Sequence, residues 1–376
     1  MRRMMIKESL LWIILSLAMT VGQSCTKSED EGAESVRFSM SSPSDDATRT
    51  EYSGEGTVVD GNLVKERINW KINDLVTVYS PEATLEDGAT HTADYKVGSS
   101  VSVPDDLTSR ATSLTTTDGG GRGLLWAYGT NHFYAMYPSK ATSGFTSDER
   151  SWVGLDGTTM KGTIPSTQVM TSWSTSTDRI VGAPDMKYAW MFAKQTADKG
   201  SGDVSLVFHP KFTAFEFTVS SGENTSVTLS SFKLETMATG ADAGDFVAGD
   251  FSFEGSDETF TFVSTGASKA INLAFPSGTV VTPGKSITFT ILALPVNLTK
   301  MKITFTGTEI GTRELPLTKN GVPIDFTACK KYRIKGLKFP SLLTADGEDI
   351  LWDYEAWGED INWDDTLSGE DIQWDN

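Results

Sequence analysis

The sequence predicts an all-β protein, and three observations predict it. Apolar residues recur at every second position in run after run. The runs are rich in Thr, Val, Phe and Tyr, and clusters of Gly, Asp and Asn separate them. Past the first 24 residues, no segment sustains the apolar period of a helix. Strands with one apolar side must bury it against a second layer, so β-sandwiches follow, and 376 residues suit two sandwiches better than one.

Taken in order, the chain opens with Arg2, Arg3 and Lys7, then an apolar run from Leu10 to Val21, then Gly22-Gln23-Ser24-Cys25. The run is too short for a permanent bilayer span, so residues 1–24 read as an export signal. Thr26–Gly32 is polar and acidic, as a tether is. Val36, Phe38 and Met40 alternate with polar neighbours as a first strand, and residues 25–50 hold tether and strand together. Later strands repeat the alternation at Phe215, Phe217 and Val219, at Ile287, Phe289, Ile291 and Ala293, and at Met301, Ile303 and Phe305. Turn clusters such as Asp118-Gly119-Gly120-Gly121 and Thr318-Lys319-Asn320-Gly321 divide them. The polar, turn-prone stretch Gln195–Gly202 marks a boundary, giving sandwiches over 51–197 and 198–340.

Residues 341–376 differ from everything before them. They hold twelve Asp or Glu and no Lys or Arg. A Gly-Glu-Asp-Ile-x-Trp-Asp motif begins at Gly347, Gly358 and Gly369, a period of eleven residues. The segment also carries four of the ten tryptophans. The period is too short to build a core of its own, yet this much Trp beside Ile calls for a surface to bury it.

Charge and motifs exclude several functions. The formal net charge of −18 opposes nucleic-acid binding, which needs Lys and Arg to neutralise phosphate. His91, His132 and His209 are isolated and no Cys-x-x-Cys spacing occurs, so neither a metal site nor a cofactor is expected. Gly119-Gly120-Gly121-Arg122-Gly123 lacks the Lys-Ser/Thr of a phosphate loop, and no Gly-x-Ser-x-Gly elbow is present. Nothing here calls for an enzyme. Trp126, Trp152, Trp173 and Trp190 are candidates for stacking on sugar rings, with aromatic core as the competing reading.

Ordered landmarks carry a family resemblance. Ala47-Thr48-Arg49-Thr50 precedes Ile68-Asn69-Trp70-Lys71-Ile72-Asn73-Asp74-Leu75-Val76-Thr77-Val78-Tyr79. Then come Phe133–Pro138, Ile164–Gln168, Leu206–Ala214, Leu292–Pro295 and Tyr332–Leu337. The series resembles the fimbrillin-like lipoproteins of Bacteroidales, the major and minor fimbrial subunits. Asn73 stands where that family usually has Gly, a replacement that a left-handed turn tolerates. The series ending at Cys25 likewise resembles a bacterial lipoprotein signal, with Cys25 receiving the acyl chains, which leaves Cys25 and Cys329 no structural disulfide.

The resemblance implies tandem transthyretin-like Greek-key sandwiches in a pilus subunit that supports adhesion. Such a subunit reaches the outer membrane surface by its lipid anchor and matures when a trypsin-like, Arg-specific protease removes its first strand. Other pilin subunits would be its partners, with a host or bacterial surface ligand beyond them. The alternative is a surface carbohydrate-binding lipoprotein. Within this scheme Val36, Phe38 and Met40 form the removed strand. Arg37 lies inside that strand and Arg67 abuts the next, so cleavage is expected after Arg49, making Thr50 the new N-terminus. The acidic tail would contain the donor strand, with Ile350, Trp352 and Tyr354 alternating on one face and Ile361 with Trp363 in a second register.

Overall fold

A computed structural model describes residues 34–41, 51–59, 62–70, 73–98, 112–117, 121–222, 225–319, 322–339 and 359–362. Among them strand dominates, and the one α-helix is a single turn, Ser147–Arg150. The all-β expectation holds. Four large sheets carry the fold.

Two of these sheets close on one another as a sandwich. One has six strands, in the order Met170–Thr175, Arg179–Pro184, Ser286–Ala293, Thr213–Ser221, Lys330–Phe339 and Glu359–Asn362. The other has five, in the order Thr167–Gln168, Ala270–Val281, Val227–Thr236, Met301–Gly307 and Gly311–Pro316. Alternation decides which side chains meet between them. Phe215, Phe217 and Val219, like Phe289 and Ile291 opposite, are wholly buried. Phe232 of the five-stranded sheet lies 4.7 Å from Phe217 and 4.8 Å from Phe289 of the six-stranded one, centroid to centroid. Such aromatic contacts add about 0.5–1.5 kcal/mol each beyond area burial.

The eight-stranded sheet runs Val204–Val207, Phe38–Ser41, Thr112–Thr116, Thr92–Val97, Leu75–Tyr79, Thr130–Tyr137, Met191–Asp198 and His209–Pro210. It curls enough for the Phe38 ring to reach Phe133, four strands away, at 5.2 Å. A four-stranded sheet, Thr259–Ser268, Ala248–Glu254, Thr159–Ile164 and Gly154–Asp156, lies against its far side. There Phe192 meets Phe253 at 5.1 Å, and the Trp190 indole donates to the Thr163 carbonyl at 2.8 Å. Each large sheet draws strands from both sides of residue 197. Arg179–Pro184 pairs in parallel with Ser286–Ala293, and Thr159–Ile164 pairs with Ala248–Glu254.

Landmarks distant in sequence meet in space. Trp70 packs edge-on to Tyr137 at 5.1 Å and to Phe208 at 5.2 Å, joining three of the family motifs in one buried cluster. The Gln168 side chain bonds the backbone of Leu292 as a paired strand residue would. Its amide donates to the Leu292 carbonyl at 2.6 Å and accepts from the Leu292 N–H at 3.0 Å. Asn73 takes φ +72°, the left-handed turn anticipated for the residue in the Gly position.

Phe289 is fully buried among Phe217, Phe232, Phe275 and Phe305. Phe289→Ala should lower unfolding free energy by about 3–5 kcal/mol in urea titration, because the cavity would open between two rigid sheets. A second expectation concerns pH. Partial burial acts to raise the Glu254 carboxyl, but hydrogen bonds from Thr158, Thr159 and Ser256 together outweigh it and hold the group at about 2. A carboxylate so depressed stabilises the fold above its unfolded value and loses that contribution as pH falls toward 2. Glu254→Gln should therefore flatten the dependence of melting temperature on pH between about 4.5 and 2.

Candidate functional site

The first strand completes the eight-stranded sheet from within. Phe38–Ser41 pairs in parallel with Val204–Val207 on one side and antiparallel with Thr112–Thr116 on the other. The Val36 N–H donates to the Leu124 carbonyl at 2.8 Å, and the Val204 N–H donates to the Arg37 carbonyl at 2.8 Å. Val36, Phe38 and Met40 are 4, 2 and 0% exposed, whereas Arg37 points outward to Asp203 at 3.0 Å. The Phe38 ring sits edge-on to Tyr95 at 5.1 Å as well as to Phe133.

These facts set the energetics of the strand. Burying Val, Phe and Met side chains contributes about 1.5–3 kcal/mol each, or about 5–9 kcal/mol together. The Arg37–Asp203 pair, with side chains 74 and 56% exposed, is a surface pair worth at most about 1 kcal/mol. Withdrawing the strand would leave Val204–Val207 and Thr112–Thr116 facing each other across two inter-strand spacings, about 9–10 Å. That slot admits one strand. Its walls would present backbone donors and acceptors without a ladder and a floor of apolar side chains, a surface that demands cover.

The second element is the acidic repeat region, of which Glu359–Asn362 is described. It pairs antiparallel with Lys330–Phe339, with Ile361 opposite Lys331 and Glu359 opposite Arg333. Cys25, Arg49, Thr50, Ile350, Trp352, Tyr354 and Trp363 lie outside the described residues. The strands that flank Phe38–Ser41 escaped sequence reasoning, since nothing local links residue 38 to residue 204. The cations of Lys330–Phe339 were legible but took on meaning only beside the acidic repeat.

The four tryptophans considered for sugar stacking are placed by packing. Trp190 is fully buried and stacks on Phe145 at 5.9 Å, and Trp126 is buried edge-on to Phe133. Trp173 is half-buried against Phe275, and Trp152 is half-buried as well. A cleft of about 450 Å³ is lined by Thr77, Asp94, Lys140, Asp156 and Lys161 among others, with no aromatic ring on its walls. Among the described residues no three His, Cys, Asp or Glu side chains gather as metal ligands. Among them, too, no helix is long and apolar enough to cross a membrane.

The geometry is that of a β-sheet protein with one short strand seated between two others and an added strand on a sheet edge. Comparison with known proteins places the class. The family model described as fimbrillin-like matches residues 57–339, and the chain belongs to that family of cell-surface fimbrial subunits. No curated protein matches it. Among solved structures it is similar to one described as a cell adhesion protein, from Bacteroides uniformis, at 15% identity and TM-score 0.44, covering 82% of this chain and 94% of that one. A second cell adhesion protein, from Bacteroides ovatus, gives 13%, 0.47, 81% and 92% in the same order. A fimbrial assembly protein from Parabacteroides distasonis gives 13%, 0.38, 81% and 92%.

The packing of the first strand generates a direct expectation. Phe38→Ala in the uncleaved chain should cost about 3–5 kcal/mol in chemical denaturation, whereas Arg37→Ala should cost no more than about 1 kcal/mol.

Proposed function

We propose that this chain is a fimbrial subunit assembled by protease-triggered donor-strand exchange. In this reading Cys25 carries the lipid that brings the subunit to the outer membrane surface. An Arg-specific protease cuts after Arg49, Thr50 becomes the N-terminus, and Val36, Phe38 and Met40 leave with the anchor. A segment of a neighbouring subunit then takes the emptied place, through ladder hydrogen bonds to both walls and alternate side chains into the core. Ile350, Trp352 and Tyr354 of the first acidic repeat are the residues assigned to that insertion, with Ile361 and Trp363 as the second register. Tandem sandwiches over 51–197 and 198–340, exchanging strands across residue 197, complete the picture.

The observation that carries the reading is the seating of Phe38–Ser41. Its four residues separate two strands, and its Phe38 and Met40, with Val36 just before them, fill the core. Such a segment is easily replaced by another of the same alternation, because ladder hydrogen bonds do not depend on side-chain identity. The position of Arg37 supports the choice of Arg49, since its carbonyl is already held in the ladder. The burial of Trp126 and Trp190 favours aromatic core over a sugar platform.

Three variants test the scheme. Cys25→Ser should lose outer-membrane partitioning. Arg49→Ala should stay uncut and form no ladders on denaturing gels, and the assembled wild type should begin at Thr50 by N-terminal sequencing. Truncation after Thr344 should leave a folded monomer that does not polymerise after proteolysis. A truncated chain that still forms ladders would place the donor strand elsewhere.

A further inference from the structure

The strand Lys330–Phe339 reads Lys-Lys-Tyr-Arg-Ile-Lys-Gly-Leu-Lys-Phe, with five cations in ten residues and no acid. In a chain of net charge −18 this is a concentrated basic strip. On one side it pairs in parallel with Thr213–Ser221, and on the other it would be the last strand of its sheet but for Glu359–Asn362. Tyr332 and Ile334 turn inward and are 3% exposed. Tyr332 packs against Phe215 at 5.7 Å and Phe326 at 4.9 Å, which fixes the strand rigidly to the core.

Lys331 and Arg333, two apart, occupy the other face of the strand. Lys331 is nevertheless 0% exposed and reaches Glu216 at 2.7 Å, while the Arg333 Nε lies 3.1 Å from the same carboxylate. Two cations thus meet one carboxylate at Glu216, and because buried charge is screened far less than surface charge, their positive balance acts on whatever strand adds at this edge. Lysines on an edge ordinarily keep it solvated and discourage pairing. They discourage neutral and basic strands, however, and favour an acidic one, which makes charge the selector. The strand that pairs here is Glu-Asp-Ile-Asn, with Asp360 opposite Tyr332 and Glu359 opposite Arg333. Asn62–Asn69 runs along this added strand as well.

We propose that the Lys330–Phe339 edge is a charge-matched docking site for the chain's own second acidic repeat, and that this docking holds the repeat region in reserve on the unassembled subunit. The repeats at Gly347, Gly358 and Gly369 share Gly-Glu-Asp-Ile, so charge at this edge recognises the motif and the backbone ladder holds it. The storage role rests on the donor-strand reading above. The docking itself does not.

Hydrogen exchange on the uncleaved full-length monomer tests the docking without any polymerisation. At about 20 mM salt, amides in 330–334 and 359–362 should be protected. Glu359→Lys with Asp360→Lys should speed exchange across 330–334 by about 10-fold or more, and Glu359→Gln with Asp360→Asn by less. Raising salt to about 500 mM should shift wild type toward the charge-neutral variant. Amides of Phe215–Val219 should stay unchanged throughout, which reports that the body remains folded. Equal protection of 330–334 in wild type and in the Lys double variant would overturn the docking. Full protection in the Gln/Asn variant at both salt concentrations would overturn the role of charge. Failure of donor-strand exchange would be read separately, in the ladders of the truncated chain.

Discussion

Three side chains in a segment of five residues hold one end of this protein together. Val36, Phe38 and Met40 lie between strands that the chain reaches more than 70 and more than 160 residues later, Thr112–Thr116 and Val204–Val207. The eight-stranded order exists only because that segment bridges them. The curl of the sheet follows, since it must bring Phe133 onto Phe38. A sheet whose continuity depends on so short a strand is stable while the strand is present and open to replacement once it is not.

The core elsewhere is built to leave that end alone. Between the six- and five-stranded sheets, Phe217, Phe232, Phe289 and Phe305 form a continuous aromatic layer that, among the described residues, shares no ring contact with the first strand. The Trp70–Tyr137–Phe208 cluster ties the turn before Leu75 to the ends of two strands. Gln168 clasps the Leu292 backbone and so joins two regions more than 120 residues apart without a ladder. These contacts are the fixed points of the fold away from the first strand.

Charge is distributed with a comparable division of labour. The acidic repeats carry twelve of the carboxylates and none of the cations, whereas Lys330–Phe339 carries five cations and no acid. Backbone hydrogen bonds alone would let any extended segment add to a sheet edge. The strand added at this edge brings Glu359 into register with Arg333, an acidic residue opposite a basic one.

Local physics was written in the sequence. A side-chain period of two put Val36, Phe38 and Met40 on one face and placed Phe217 and Phe289 in a core, and the family resemblance marked Asn73 as a residue for a left-handed turn; all are so found. The eleven-residue repeat and the Trp70, Tyr137 and Phe208 landmarks were equally plain. What the sequence did not contain was adjacency. Alternation says which side of a strand is apolar and is silent on which strand lies beside it, because ladder hydrogen bonds join any two backbones alike. The pairing of 38 with 204 and of 180 with 287 was decided by closure of the sheets around a common core.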